Sequence, residues 1–178
     1  MLKEGMNIQN FNCNTVNGEK KIKELFKSDK NILIFSRFYG CRIAKYDLKD
    51  FADNYEKISA KGYGVLFILQ SSKEIIKKAY LEENYPFTII CDPERKIYKY
   101  FEVDLAKNKE TLNGEIVLKK LTKAEKIGLK KGELEGEPLQ LPAQFIINKD
   151  LKILFSHYGK NAGDILPPDS ILKIVDKL

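Results

Sequence analysis

With 178 residues, 43% hydrophobic and 31% charged, the chain is long enough to bury a core of its own without disulfide staples. A net charge of +6, one histidine and three scattered cysteines exclude a disulfide framework and give no metal-ligand spacing. No apolar run approaches the ~20 residues of a membrane span, and "MLKEGMNIQNF" has no apolar signal core, so a cytoplasmic chain with reduced cysteines is expected.

In chain order, "NFNCNTVNGEKKIKELF" (10–26) predicts a hairpin turning at Asn17-Gly18, then a short helix with Ile22, Leu25 and Phe26 on it. "NILIFSRF" (31–38) is a continuous apolar run of strand length, as expected of a strand buried on both faces. From Cys41 the period changes: Leu48, Phe51, Tyr55 and Ile58 mark one apolar face of a helix over 41–60, ended by Gly62 and Gly64. "VLFIL" (65–69) reads as a second buried strand, and Ser71 with Glu74 has the spacing that starts a helix reaching about Tyr80. "PFTIICDP" (86–93) reads as a third strand, with a β-turn at "CDPER" and a short helix holding Ile97, Tyr98 and Phe101.

Residues 105–136 are rich in lysine, with helical patterning over about 115–127 and glycines at 128, 132 and 136, and look like an insertion. Six lysines and one glutamate in "LKKLTKAEKIGLKK" (118–131) predict a solvated helix face. No aromatic residue interleaves with those lysines, so a nucleic-acid surface is not expected. "LPAQFIINKDLKILFSHYG" (141–159) predicts a hairpin turning at Asn148-Lys149-Asp150, and "PPDSILKIVDKL" (167–178) a closing helix with prolines at its start. Helices alternating with buried strands, then an antiparallel pair, predict one α/β domain over 1–178. Its sheet is mixed, with helices on both faces.

The stretch "SRFYGCRIAKYD" (36–47) raises a chemical question. The chain has 28 lysines but three arginines, and Arg37 and Arg42 both lie within four residues of Cys41. Cys41 falls where a strand ends and a helix begins, at the sheet edge where ligands gather in doubly wound folds. A helix N-terminus and nearby guanidinium groups stabilise a thiolate, the nucleophilic form of cysteine. The alternative is a small buried hydrophobe with both arginines turned to solvent, since side chains alternate along a strand and Arg37 could face away. Gly40 suits the tight turn before the cysteine. Tyr39, just before that turn, could donate a hydrogen bond to a ligand at the sulfur.

The blocks "ILIFSRFYGCRIAKYDLKDF", "TIICDPERKIYKYFEV" and "GELEGEPLQLPAQFIINKDLKILFSHYGKNAGD" occur in an order that resembles the peroxiredoxin-like branch of the alkyl hydroperoxide reductase/thiol-specific antioxidant (AhpC/TSA) family, within the thioredoxin-like superfamily. The resemblance runs from about residue 5 to 178 and implies a thioredoxin-like fold with the reactive cysteine, Cys41, at the start of the first long helix. It implies a cis Leu141-Pro142 peptide facing Cys41; from sequence alone, Pro142 could simply open an edge strand. Two departures stand out. Many members of this branch carry C-x-x-C here, whereas this chain reads Cys41-Arg42-Ile43-Ala44, so no disulfide can form within the motif. Typical peroxiredoxins carry threonine three residues before their reactive cysteine; here that residue is Phe38.

The expected function is a one-cysteine, peroxiredoxin-like thiol redox protein. Cys41 would reduce a hydroperoxide or exchange a disulfide, with Arg37 and Arg42 stabilising its thiolate. An external thiol such as thioredoxin, glutaredoxin or a low-molecular-weight thiol would regenerate it. No metal, cofactor, membrane or nucleic acid is expected, and a homodimer is allowed. Cys91, ending a strand near the same sheet edge, is a candidate resolving thiol, as more weakly is Cys13. His157 is a candidate proton relay. The alternative from another class is a redox-inactive thioredoxin-like domain that docks an extended peptide.

Overall fold

The computed structural model describes residues 1–178. One seven-stranded mixed sheet organises them, in the order β2-β1-β5-β4-β3-β6-β7. Strands β3 (Lys30–Phe35), β4 (Tyr63–Leu69) and β5 (Thr88–Cys91) run parallel. The hairpin β1 (Asn12–Thr15)–β2 (Gly18–Lys21) joins antiparallel at β5, and the hairpin β6 (Ala143–Asn148)–β7 (Ile153–Tyr158) joins antiparallel at β3. The centre falls where the sequence is apolar without alternation. Every residue of β4 is buried, because helices cover both of its faces.

On one face Leu48, Phe51, Ile58, Ile76 and Ile171 pack over Ile32, Ile34, Val65 and Phe67. They come from α2 (Arg42–Asp53), α3 (Tyr55–Ala60), α4 (Lys73–Glu83) and α8 (Pro168–Val175). On the other face α1 (Ile22–Leu25) and α5 (Lys96–Tyr100) bring Ile22, Leu25, Ile97 and Tyr98 against Leu33, Phe35, Leu66 and Phe145. The buried carboxylate of Asp92, in the turn after β5, accepts the first amides of α5 from Lys96, Ile97 and Tyr98 at 2.8–3.2 Å. That anchoring sets the Tyr98 hydroxyl within hydrogen-bond distance of both Ser36 O (2.9 Å) and Ile68 O (2.7 Å), which pins the carboxyl ends of β3 and β4 together.

Three elements differ from the sequence expectation. Strand β3 stops at Phe35, because residues 36–41 leave the sheet to form the loop before α2. The helix expected over 41–60 is two helices: at Asn54 the side-chain amide turns back onto Asp50 O (2.9 Å) and competes with the helical bonds. The lysine-rich segment is not wholly solvated either. It folds into α6 (Lys109–Leu112) and α7 (Glu115–Lys126), and Lys120 on α7 is buried, its ammonium 2.5 Å from Asp47 of α2. The ends of this excursion are tied: Ala106 N donates to Leu139 O and Leu141 N to Asp104 O. No helix is long and apolar enough to cross a membrane.

Candidate active site

Cys41 is the N-cap of α2, in extended conformation (φ −79°, ψ 122°) with its carbonyl accepting the first helical bond from Lys45 N. Its amide closes a turn onto Phe38 O at 3.0 Å. The thiol makes no capping bond, and no acidic residue occupies the first turn of α2, so no carboxylate there offsets the positive end of its dipole. Cys41 as a whole is only 8% exposed.

Arg37 turns toward that sulfur. Its Nη1 lies 3.1 Å from Cys41 Sγ, and Nη2 donates to Pro138 O. The strand ends before Arg37, which removes the alternation that could have carried the guanidinium to the far face. Arg42, at the first helical position, lines the same cleft without bonding the sulfur. The cleft has a volume of about 360 Å³; its charged edge is Arg37, Arg42 and Lys131, and its apolar walls include Leu112, Val117 and Leu121. Asp47 and Lys120 join α7, which carries Val117 and Leu121, to α2. Burial pushes the Asp47 carboxyl up to about 6, although Lys120 beside it pulls the other way.

Residues 131–138 form a strap across the cysteine loop. Gly132 N donates to Gly40 O at 2.9 Å, and Gly40 N donates to Glu135 Oε1 at 2.7 Å. Glu137 N donates to Gln70 Oε1 at 2.7 Å, and Pro138 supplies the carbonyl that Arg37 holds. Glycine is required at Gly40, and at Gly132 a side chain would be tight. A Cβ on Gly40 would lie 1.9 Å from Glu133 O, and one on Gly132 would lie 3.0 Å from Gly40 Cα. Glu135, Gly132 and Pro138 were not among the site residues expected from sequence. The signal that could have found them is the four-residue spacing of Gly128, Gly132 and Gly136 in a segment without apolar periodicity, a mark of close backbone approach.

Several expected site residues lie elsewhere. The Leu141-Pro142 peptide is trans. Pro142 immediately precedes β6, takes the Gly159 amide on its carbonyl, and lines a separate cleft with Tyr158 and Gly159; Leu141 and Pro138 are the neighbours on the Cys41 side. The Tyr39 side chain packs on the opposite side of the loop. Its hydroxyl donates to Glu82 (3.2 Å), Lys45 Nζ sits 4.6 Å from the ring centroid, and burial pushes the phenol up to about 12. Its amide, rather than its hydroxyl, serves the loop, donating to Ser71 Oγ at 2.8 Å. His157 Nε2 bonds Asp164 (3.0 Å) and does not line the Cys41 cleft, which removes the geometry of a proton relay. Ala44 is fully buried beside Cys41 in the cluster of Phe38, Ile43, Leu112 and Val117.

Cys91 is not on a strand adjoining β3, because β4 lies between them. Two strand spacings, about 9.6 Å, exceed the Cα reach of ~7 Å for a disulfide. Cys91 and Cys13 are buried on opposite faces of the sheet, and burial pushes their thiols up to about 11 and about 12. Neither is placed to resolve an oxidised Cys41.

This mixed sheet, with a cysteine capping the first long helix after a central parallel strand, is the thioredoxin-like fold in its peroxiredoxin form. The chain superposes on the peroxidoxin BcpB of Mycobacterium tuberculosis with a TM-score of 0.69 over 99% of this chain and 96% of that one, at 14% identity. The sequence model of the AhpC/TSA family matches residues 5–156, and the chain belongs to that family. Among curated relatives, Peroxiredoxin-like 2C of Bos taurus is 27% identical over 85% of this chain and 70% of its own length. Prostamide/prostaglandin F synthase of Xenopus tropicalis is 25% identical over 90% of this chain and 81% of its own length.

Proposed function

We propose that the protein is a one-cysteine thiol peroxidase acting on organic hydroperoxides, with Cys41 as its nucleophile. The observation that carries this reading is the Arg37 guanidinium, 3.1 Å from Cys41 Sγ at the floor of a cleft with apolar walls. A charge-assisted donor of this kind is stronger on a sulfur anion than on a thiol. Membership of a thiol redox family supports it, and so does the burial of the other two cysteines. In the reaction the thiolate attacks the terminal peroxide oxygen. The S–O bond forms as the O–O bond breaks, and the alkoxide leaves and takes a proton from solvent. One external thiol then displaces water from the sulfenic acid to give a mixed disulfide. A second thiol releases Cys41 and carries away the oxidised pair. A reducing compartment, such as the cytoplasm, supplies such thiols.

Strap backbone already lies against Gly40 and Gln70, and the opening left beside Cys41 is a cleft of about 360 Å³, which favours a small substrate over an extended peptide. The test is competitive oxidation by cumene hydroperoxide with each cysteine followed by peptide mass spectrometry. Oxidation of Cys41 faster than Cys13 and Cys91 by orders of magnitude is expected. Equal rates would rule out the peroxidase.

A further inference from the structure

The strap explains how a small peroxide and a protein thiol can meet the same sulfur by different routes. A mixed disulfide needs the partner cysteine's Cα within ~7 Å of Cys41 Cα. On the loop side of the sulfur, that space holds strap backbone: Glu133 O is so close over Gly40 that even a methyl group would not fit. A small molecule needs only the open cleft between Arg42 and α7. The strap is also held in a way that allows release. Residues 131–134 are exposed, Leu134 is 63% exposed, and the strap is attached through hydrogen bonds: three to the cysteine loop, at Arg37 and Gly40, and one to Gln70, with close packing where Gly136 meets Phe38 and Gln70.

We propose that residues 131–138 are a size-selecting gate, latched by Glu135 on the Gly40 amide: closed, it admits small substrates, and it opens to let a protein-sized thiol or disulfide partner reach Cys41. The inference rests on Cys41 being the reacting thiol. The latch is a carboxylate with one oxygen on Gly40 N and the other, Oε2, buried without a partner. Burial raises the Glu135 carboxyl, while the Gly40 amide and the Ser71 hydroxyl pull it down; Glu133 and Lys45 add opposing charges, and Lys78, Glu82 and the Tyr39 phenol face the same cleft. A carboxyl raised in the closed state favours closure at low pH, and closure weakens as pH rises through its closed-state value. Arg37 couples the latch to the chemistry, because one guanidinium holds both the strap at Pro138 and the sulfur at Cys41.

The experiment compares two reagents with the same leaving group. One is a cysteamine–thionitrobenzoate disulfide, the other a single-cysteine thioredoxin carrying the same thionitrobenzoate disulfide. Cys41 thiolate attacks either one, forming a mixed disulfide and releasing the coloured thionitrobenzoate anion; mass spectrometry confirms the labelled peptide. The readout is the ratio of protein-sized to small-reagent rates, from which the reactivity of the sulfur common to both reagents cancels. Glu135→Ala should raise the ratio about tenfold, the weight of one charge-assisted hydrogen bond. Glu135→Gln, which keeps an acceptor for Gly40 and carries no charge, should stay near the ratio the parent shows at low pH. In the parent the ratio should climb with pH, and in Glu135→Gln it should be flat. If Glu135→Ala moves both rates in proportion, or neither, the gate is wrong while Cys41 stands as the reacting thiol. If Cys41 takes up neither reagent faster than Cys13 and Cys91, the redox reading has failed with it.

Discussion

The Cys41 cleft and the interior of the sheet each bury cysteine, by opposite means. In the sheet Cys13 and Cys91 are surrounded by apolar side chains, and burial pushes both thiols far up. Around Cys41 burial comes with polar machinery: the Arg37 guanidinium, the Asp47–Lys120 pair, and the Glu135 and Gln70 contacts of the strap. Exposure does not separate the three thiols, since all are under a tenth exposed. What separates them is whether a cation and a helix N-terminus face the sulfur.

The sharpest way to break this comparison is to exchange the roles. Cys41→Ser should abolish peroxide turnover, while Cys91→Ser should leave kcat/KM within about threefold, since Cys91 lies outside the cleft. Lost turnover in Cys91→Ser, with the fold intact by circular dichroism, would mean the sheet interior takes part in the chemistry. The next effect is on stability. Lys120→Ala leaves the buried Asp47 carboxyl without its cation, to stay charged unpaired or to take up a proton, so urea unfolding should show a loss of about 3–5 kcal/mol. Asp47→Leu with Lys120→Met should recover most of it, because the pair's attraction largely offsets its own desolvation. In the cleft itself, Arg37→Ala should slow oxidation of Cys41 about 10- to 100-fold, the weight of a charge-assisted hydrogen bond. Arg42→Ala, which removes a cation with no bond to the sulfur, should cost less than about threefold.

The smallest effect is a slope with pH. The folded Asp47 carboxyl sits at about 6 against an ordinary 3.8, so its contribution to stability is full below the unfolded value and fades as pH climbs from about 4 to about 6. Asp47→Asn should flatten the stability profile across that window. A profile unchanged by the substitution would show that Asp47 does not titrate there.

Much of this was legible before the fold. The run "ILIF" had no polar face to offer water, so it had to lie under helices on both sides, and the change of period at Cys41 marked where a strand gives way to a helix. Those patterns are local, and local patterns survive in a linear string. They were enough to bring Cys41, Arg37 and Arg42 together at one helix start. What the string could not carry were contacts between segments distant along it. Lys120 reads as one more solvated lysine until α7 lies on α2 and seals it against Asp47, 73 positions away. Glu135 reads as loop until its carboxylate meets the Gly40 amide, 95 positions away. Cys91 seemed near Cys41 because both follow strands, yet strand order is a global property, and it put β4 between them. Composition and period determined the layers and the loop that carries Cys41. Only tertiary packing decided which charges are buried, which cysteine stands alone, and what closes over it, because those outcomes depend on desolvation by residues that share no sequence window.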